Sequence, residues 1–157
     1  MSSRDLADID VATEVALGTS RIFVGIALRS LGSAEITLPQ YRALVLLDDR
    51  GEQNVGDFAE HLAIHPSTAT RLCDRLHTSG LIERATSTRS RREVTIGLSP
   101  KGRALVRRVT KRRREELRGI VSSLSAAERT ALVTAFAAFA TAAGETPDDA
   151  WKLGWSA

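Results

Sequence analysis

A run of hydroxyl and guanidinium side chains follows Pro66, and such groups form hydrogen bonds with phosphates and with the edges of bases. The segment reads PSTATRLCDRLHTSG. At the helical rotation of about 100° per residue, its apolar residues share one face and its polar residues lie opposite or at the sides. The polar residues that we expect to contact a nucleic acid are Ser67, Thr68, Thr70, Arg71 and Arg75. An ordinary solvated surface helix is the alternative.

A second polar segment, TSTRSRRE at residues 86–93, carries Arg89, Arg91 and Arg92. It contains no apolar side chain. An arginine held at the tip of a hairpin can enter a narrow and strongly negative minor groove. A plain solvated turn is the alternative interpretation of this segment.

The charge of the chain is unevenly distributed. The net charge is only +3, but residues 71–118 contain fifteen Lys and Arg against five Asp and Glu. The rest of the chain contains seven basic and fourteen acidic residues. A basic stretch on an otherwise acidic protein is typical of a surface that binds a polyanion, although a solvated charged helix gives the same count.

Length and composition indicate one domain, or one domain with added dimerisation helices. The chain has 157 residues, of which 43% are hydrophobic and 4% aromatic, so aliphatic residues must fill its core. No uninterrupted apolar run reaches the roughly 18 residues that indicate a membrane span. The first ten residues lack the apolar core of a signal peptide, and we therefore expect a cytoplasmic protein with no membrane contact.

Apolar periodicity and capping residues predict helices before and after the polar face. Spacings of three and four predict an amphipathic helix over about residues 9–31. Pro39 opens a second helix, and Asn54 is a suitable N-cap for a third. The fourth helix starts at Pro66 and ends near Gly80, which is typical of a C-cap.

After that glycine the apolar period changes from helical to extended. Residues 81–85 and 94–98 are predicted to form two strands, and alternation in the second directs Val94 toward the core. The strands would form a hairpin with the arginine-rich segment at its tip. Arg84 and Arg103 flank this hairpin and could contact phosphates.

The fifth predicted helix has an unusual polar middle. Ser99 and Pro100 supply a cap and a first-turn proline. Apolar residues occur near both ends of the helix, but residues 110–116 include none, which predicts that this part bridges two packed bodies across solvent. Ser125 and Glu128 form a capping box that opens a sixth helix.

Three segments together resemble the MarR family of bacterial transcription regulators. They read PSTATRLCDRLHTSGLIER, RSRREVTIGLSPKGRAL and LSAAERTAL, and the resemblance covers about residues 9–144. It implies a mainly α fold with a small β-hairpin wing, that is, a winged helix-turn-helix plus a helical dimerisation layer. It also implies a homodimer, major-groove contacts by the polar face after Pro66, and Arg92 as the wing arginine.

The domain layout follows from the same resemblance. Residues 9–31 and 101–144 would form the helical dimerisation region, and residues 37–100 the DNA-binding domain. Residues 145–157 would form a C-terminal tail. One position departs from the family pattern Asp-Arg-Arg, because Ser90 stands where an Asp often orients the second arginine, here Arg92. A serine supplies a hydrogen bond but no charge, so we expect a less ordered Arg92 or a role shared with the neighbouring arginines.

The implied function is sequence-specific binding of double-stranded DNA at a palindromic operator, with repression relieved by a small aromatic or phenolic ligand. Arg21 and Tyr41 are candidate ligand contacts, since a charged and an aromatic residue fall on the helices expected to line a pocket. Structural contacts for both are the alternative. A winged-helix module that binds an acidic protein, with no operator, is the alternative function.

We expect no enzyme activity, metal or cofactor, because no phosphate loop, nucleophile motif or metal signature occurs. Cys73 shares its helix face with leucines and is predicted to be inert packing. His61 and His65 are four apart, but a helix end separates them, and His65 suits a turn near phosphate. Trp151 and Trp155 would cover a partner subunit, with ligand stacking as the alternative.

Overall fold

Residues 3–32, 34, 36–86 and 94–143 are described by the computed structural model. Within them the chain forms six helices and three short strands. Their bounds are α1 Ser3–Leu31, α2 Leu38–Arg50, β1 Gln53–Asn54, α3 Val55–Leu62, α4 Pro66–Thr78, β2 Ile82–Thr86, β3 Val94–Leu98, α5 Pro100–Ser122 and α6 Ala126–Ala142. The predicted fold class, mainly helical with a small hairpin, is confirmed.

Side-chain caps fix the starts of the helices, as the sequence predicted. The side-chain oxygen of Asn54 accepts a hydrogen bond from the backbone N–H of Asp57 at 2.8 Å. The hydroxyl of Ser99 accepts one from the first turn of α5 at 3.0 Å. In the capping box of α6, the N–H of Ser125 donates to the Glu128 carboxylate at 2.7 Å, and the N–H of Glu128 donates back to the serine hydroxyl. Each cap satisfies a backbone donor that the helix leaves unpaired.

The three strands form one antiparallel sheet in the order β1-β3-β2. Ile82 of β2 lies opposite Leu98 of β3, and this pairing continues to the end of the described hairpin. Gln53 of β1 lies opposite Ile96 on the other side of β3. The sequence did not predict β1, because two residues are too few to show an alternating pattern.

The prediction that Val94 faces the core was wrong. Its side chain is 51% exposed, whereas Ile96, two residues later, is fully buried. Val94 pairs with Thr86 at the end of the hairpin farthest from α5. Alternation places Val94 on the correct face of the sheet, but the packed core ends before that point.

The core is built from α2, α3, α4, the sheet and the first half of α5. Burying a large aliphatic or aromatic side chain contributes about 1.5–3 kcal/mol. The largest side chains that are fully buried here are Leu44, Leu47, Phe58, Leu76, Ile82, Ile96 and Val109. The backbone of α5 approaches closely at Gly102, where a Cβ would lie 2.0 Å from the Leu81 carbonyl oxygen. These contacts fix α4 relative to the hairpin.

The polar middle of α5, residues 110–116, is only in part the solvent-exposed bridge that the sequence predicted. Lys111, Arg112, Arg114 and Glu115 are exposed, whereas Thr110 and Glu116 contact other helices. The hydroxyls of Thr110 and Tyr41 are 3.1 Å apart and share a hydrogen bond. The carboxylate of Glu116 forms an ion pair with Arg29 of α1. Two of its polar residues therefore have partners on α1 and α2, and the apolar pattern of the sequence does not reveal such pairs.

Helix α1 starts earlier than the predicted position near residue 9 and is buried only near its C-terminal end, at Ile26, Ala27, Ser30 and Leu31. By length and composition alone, Asp5–Leu31 is apolar enough to cross a membrane. The sequence analysis did not identify this segment as a possible membrane span, because polar residues interrupt its apolar runs. An apolar helix that packs in a large interface has the same properties.

Candidate nucleic-acid interface

Helix α4 has one buried face and one exposed polar face. Ala69, Cys73 and Leu76 are fully buried, and Leu72 is partly buried. The exposed residues are Pro66, Ser67, Thr68, Thr70, Arg71, Asp74, Arg75, His77 and Thr78. The predicted division of the helix is therefore confirmed. All five residues of α4 that were predicted to contact nucleic acid lie on the exposed face, which we call the α4 polar face.

His65 caps the N-terminus of α4. Its Nδ1 accepts a hydrogen bond from the backbone N–H of Ser67 at 3.3 Å and lies 2.8 Å from the Ser67 hydroxyl. Pro66 occupies the first turn, where its missing N–H leaves no unsatisfied donor. The sequence predicted a turn residue but not the cap, although a polar residue directly before a helix-opening proline signals that position.

Hydroxyl groups near the start of α4 form hydrogen bonds within the helix and its cap. The Thr70 hydroxyl donates to the Pro66 carbonyl oxygen at 3.0 Å. Ser67 is held by the capping histidine. The donor of Thr70 is thus already used, while its oxygen can still accept. The groups on this face with several free donors and a fixed positive charge are the guanidinium groups of Arg71 and Arg75.

An ion pair joins α4 to the hairpin. Asp74 is the single carboxylate in the sequence of α4, and it accepts a hydrogen bond from Arg84 of β2. Arg103, the other predicted phosphate contact beside the hairpin, donates to the Leu98 carbonyl oxygen at 3.2 Å. Both arginines therefore hold intramolecular contacts. Because Asp74 is paired, its negative charge on the α4 polar face is compensated.

The C-terminal end of α4 is fixed by α5. Gly80 ends the helix with a positive φ of 68°, a conformation that glycine adopts without strain. The Ser99 hydroxyl donates to the Gly80 carbonyl oxygen at 2.7 Å, and the Lys101 ammonium donates to the Ser79 carbonyl oxygen at 2.8 Å. With caps at both ends, α4 is presented as a rigid element.

A cleft of about 510 Å³ opens between α2 and α4. Arg42 on α2 lines one side, and Arg71 and Arg75 on α4 line the other. Leu38, Leu62, Ile64 and Leu72 provide its apolar surface. Sequence reasoning did not identify Arg42, because it lies in a helix whose polar positions carry no motif.

Cys73 is a packing residue, as predicted. Its side chain is fully buried. Burial raises the pKa of the thiol to about 11, and the neighbouring Arg84 and Asp74 charges act in opposite directions. The thiol is thus protonated at neutral pH, and a protonated thiol is a poor nucleophile.

The two candidate ligand contacts occupy different environments. Tyr41 lies in the core with 3% exposure, and its hydroxyl is bonded to Thr110. Arg21 is exposed on α1. Their role in ligand binding stays a prediction.

Several predicted residues lie outside the described part of the chain. They are Arg89, Ser90, Arg91, Arg92, Trp151 and Trp155. Among the described residues, no group of three or more His, Cys, Asp and Glu side chains could hold a metal ion. His61 instead has its Nδ1 2.8 Å from the side-chain oxygen of Gln53.

Helices α1 and α6 expose a large apolar surface. No residue of α6 is buried, and Val133 and Phe139 are 70% and 63% exposed. The rings of Phe23 and Phe136 meet edge to face with centroids 5.8 Å apart. The exposed large apolar residues of α1 are Leu6, Ile9, Val11, Val15, Leu17, Ile22, Phe23, Val24 and Leu28. We call these faces the α1–α6 apolar surface.

The α3–α4 helix pair followed by the β2–β3 hairpin defines a winged helix-turn-helix protein. The model of the MarR family matches residues 36–94. A solved structure, RV1404 from Mycobacterium tuberculosis, is 41% identical with a TM-score of 0.83, covering 87% of this chain and 95% of that one. The chain belongs to the MarR family. The family assignment made from three sequence segments is therefore confirmed.

Two further relatives have informative descriptions. YsmB of Bacillus subtilis (strain 168), an uncharacterized HTH-type transcriptional regulator, is 33% identical over 95 residues, which are 60% of this chain and 65% of that protein. The chain thus spans just under two thirds of this curated relative. BpsR of Bordetella bronchiseptica, whose DNA binding is regulated by 6-hydroxynicotinic acid, is 25% identical with a TM-score of 0.59; the match covers 79% of this chain and 89% of BpsR.

Proposed function

We propose that this chain is a homodimeric transcriptional regulator that inserts α4 into the major groove of a specific DNA site. The observation that carries the proposal is the α4 polar face. It presents Arg71 and Arg75 to solvent, and its single carboxylate, Asp74, is compensated by Arg84. A rigid helix with this surface matches the negative potential and the hydrogen-bonding edges of the groove.

Each group on the helix then has a distinct role. Near the start of α4, Ser67 and Thr68 are proposed to form hydrogen bonds with base edges or phosphates. The Thr70 oxygen can accept a hydrogen bond from a base edge, because its own hydroxyl proton is donated to Pro66. Arg71 binds a guanine edge through two N–H groups, which is the commonest specific contact of this kind. Arg75, one turn later, lies nearer the backbone of the DNA. The wing arginines are proposed to bind the adjacent minor groove, and these are Arg89, Arg91 and Arg92.

Dimerisation is supported by the α1–α6 apolar surface. A helix such as α6, with no buried residue and with Phe139 63% exposed, is unstable in water unless another surface covers it. A second copy of the chain supplies an identical apolar surface, and two-fold symmetry makes the contact self-complementary. The two α4 helices would then reach half-sites about one turn of DNA apart. This assignment also explains the apolar composition of α1 without a membrane.

We further propose that the regulator is a cytoplasmic repressor relieved by a small aromatic or phenolic anion. BpsR supports this direction, since its DNA binding is regulated by 6-hydroxynicotinic acid. The junction of α1, α2 and α5, where the Tyr41 and Thr110 hydroxyls meet, lies between the α1–α6 apolar surface and the winged lobe, which consists of α2, α3, α4 and the three strands. A ligand that contacts Tyr41 or Arg21, the two candidate ligand contacts, would change the spacing of the α4 helices and thereby weaken DNA binding.

Fluorescence anisotropy with DNA from upstream of the chain's own gene tests the proposal. We expect tight binding that specific DNA displaces and scrambled DNA does not. Affinity should fall steeply with salt, because phosphate contacts release counterions. Absence of binding to any duplex, together with capture of an acidic protein, would favour the winged-helix interaction module instead.

A further inference from the structure

We propose that the cleft between α2 and α4 holds a phosphate of the DNA backbone, and that Arg42 is a DNA contact outside both α4 and the wing. The inference rests on the proposed function and extends its interface to α2. Arg42 on α2 and Arg71 and Arg75 on α4 line the same cleft, so three arginines border one space of about 510 Å³. All three side chains are exposed.

The charge of the cleft has one sign. Its lining includes three arginines and no Asp or Glu. Within the described residues, the ion pairs involve other arginines, namely Arg29 and Arg84, and a lysine of α5. Cations that are close together and lack carboxylate partners repel one another, and an anion placed among them removes that repulsion.

The shape of the cleft strengthens this attraction. Leu62, Ile64 and Leu72 also line the cleft and give it apolar walls. Low-dielectric walls around charges of one sign concentrate the electric field in the space between them. An anion is therefore held more strongly in the cleft than beside the same arginines on a flat surface.

The position of the cleft identifies the anion as a phosphate of the bound DNA. Thr68 and Arg71 line the cleft and also belong to the α4 polar face. A helix in the major groove, about 12 Å wide, has phosphates along both borders of the groove. Arg42 stands on the neighbouring helix, displaced from α4, so it reaches the border and not the bases. Such a contact positions the protein without reading sequence.

Substitution of Arg42 with a matched control tests the inference. Arg50→Ala is the control, because Arg50 is exposed at the other end of α2 and does not line the cleft. We expect Arg42→Ala to weaken specific and non-specific DNA binding by a similar factor of about three to ten. The slope of log affinity against log salt concentration should become less negative by about 0.9, the value for one phosphate. Arg42→Lys should restore the slope.

The full-length protein is used throughout, and thermal unfolding confirms that each variant is folded. Equal slopes for Arg42→Ala and Arg50→Ala would overturn the inference. The variant Arg71→Ala distinguishes a failure of the phosphate site from a failure of the proposed α4 interface. If Arg71→Ala weakens specific binding while Arg42→Ala does not, only the phosphate site is wrong. If neither changes binding, the α4 interface is wrong as well.

Discussion

The carboxylate of Asp74 on α4 and the guanidinium of Arg84 on β2 form an ion pair that joins the candidate recognition helix to the middle of the first hairpin strand. Both side chains are largely solvent-exposed, at 55% and 37%. Exposed pairs of this kind contribute about 0–1 kcal/mol to stability. The importance of the pair thus lies in compensating the negative charge of Asp74 on the α4 polar face.

Removal of Arg84 alone should weaken DNA binding more than removal of both partners. Arg84→Ala leaves the Asp74 carboxylate uncompensated on a surface that meets phosphates, and we expect a loss of roughly tenfold at low salt, or about 1.4 kcal/mol. The double variant Asp74→Ala/Arg84→Ala should recover part of this loss. Anisotropy titrations of the two single variants and the double variant measure the coupling. Additive effects would show that the pair has no electrostatic role at the interface.

Gly102→Ala should destabilise the winged lobe. A Cβ at this position would lie 2.0 Å from the Leu81 carbonyl oxygen, so α5 or the turn before β2 must move. Overpacking of this kind costs about 1–3 kcal/mol. Gly119→Ala is the control, because a methyl group added there meets no neighbouring atom within 4 Å and alanine favours a helix by about 0.5–1 kcal/mol. The urea midpoints of the two variants are compared at one protein concentration. Equal midpoints would contradict the close approach of α5 to Leu81.

Cys73 should resist alkylation in the folded protein. Its pKa of about 11 means that the reactive thiolate is scarce at pH 8. Because the folded pKa is raised, the stability linked to the protonated thiol is present below the unfolded pKa, about 8.5, and is lost as pH rises toward 11. Iodoacetamide labelling followed by mass spectrometry should be slow in buffer and fast in urea. Rapid labelling of the folded protein would contradict the buried assignment.

Acid should weaken the start of α6. Hydrogen bonds from Ser125 lower the pKa of the Glu128 carboxyl. A lowered folded pKa gives stability that is present above the unfolded value and lost as pH falls through the folded one. We therefore expect Glu128→Gln to remove an acid-dependent loss of helicity that Glu115→Gln retains. Circular dichroism between pH 7 and pH 2 measures it, and identical curves would exclude the capping box as the cause.

Local chemistry made much of the fold predictable. Asn54, Ser99 and Ser125 were identified as caps because their side chains satisfy backbone donors within three residues, and such contacts are visible in sequence. Pro66 and Gly80 bounded α4 for similar reasons. The face of α4 followed from helical periodicity alone.

Contacts between distant segments were not predictable in this way. The ion pair of Arg29 with Glu116 joins residues far apart in sequence, so the polar middle of α5 was interpreted as solvent-exposed. Arg42 became a candidate only when α2 was seen to face α4 across the cleft. The strand at Gln53 was missed because it depends on pairing with β3.

The central claim is that α4 reads DNA, and the dissociation constant of Arg71→Ala tests it most directly. The measurement is an anisotropy titration of the variant and the unmodified protein against specific and scrambled duplexes at one salt concentration. The α4 interface predicts a loss of about 1–3 kcal/mol for the specific duplex, with a smaller change for the scrambled one. Unchanged affinity of the variant for the specific duplex would contradict it.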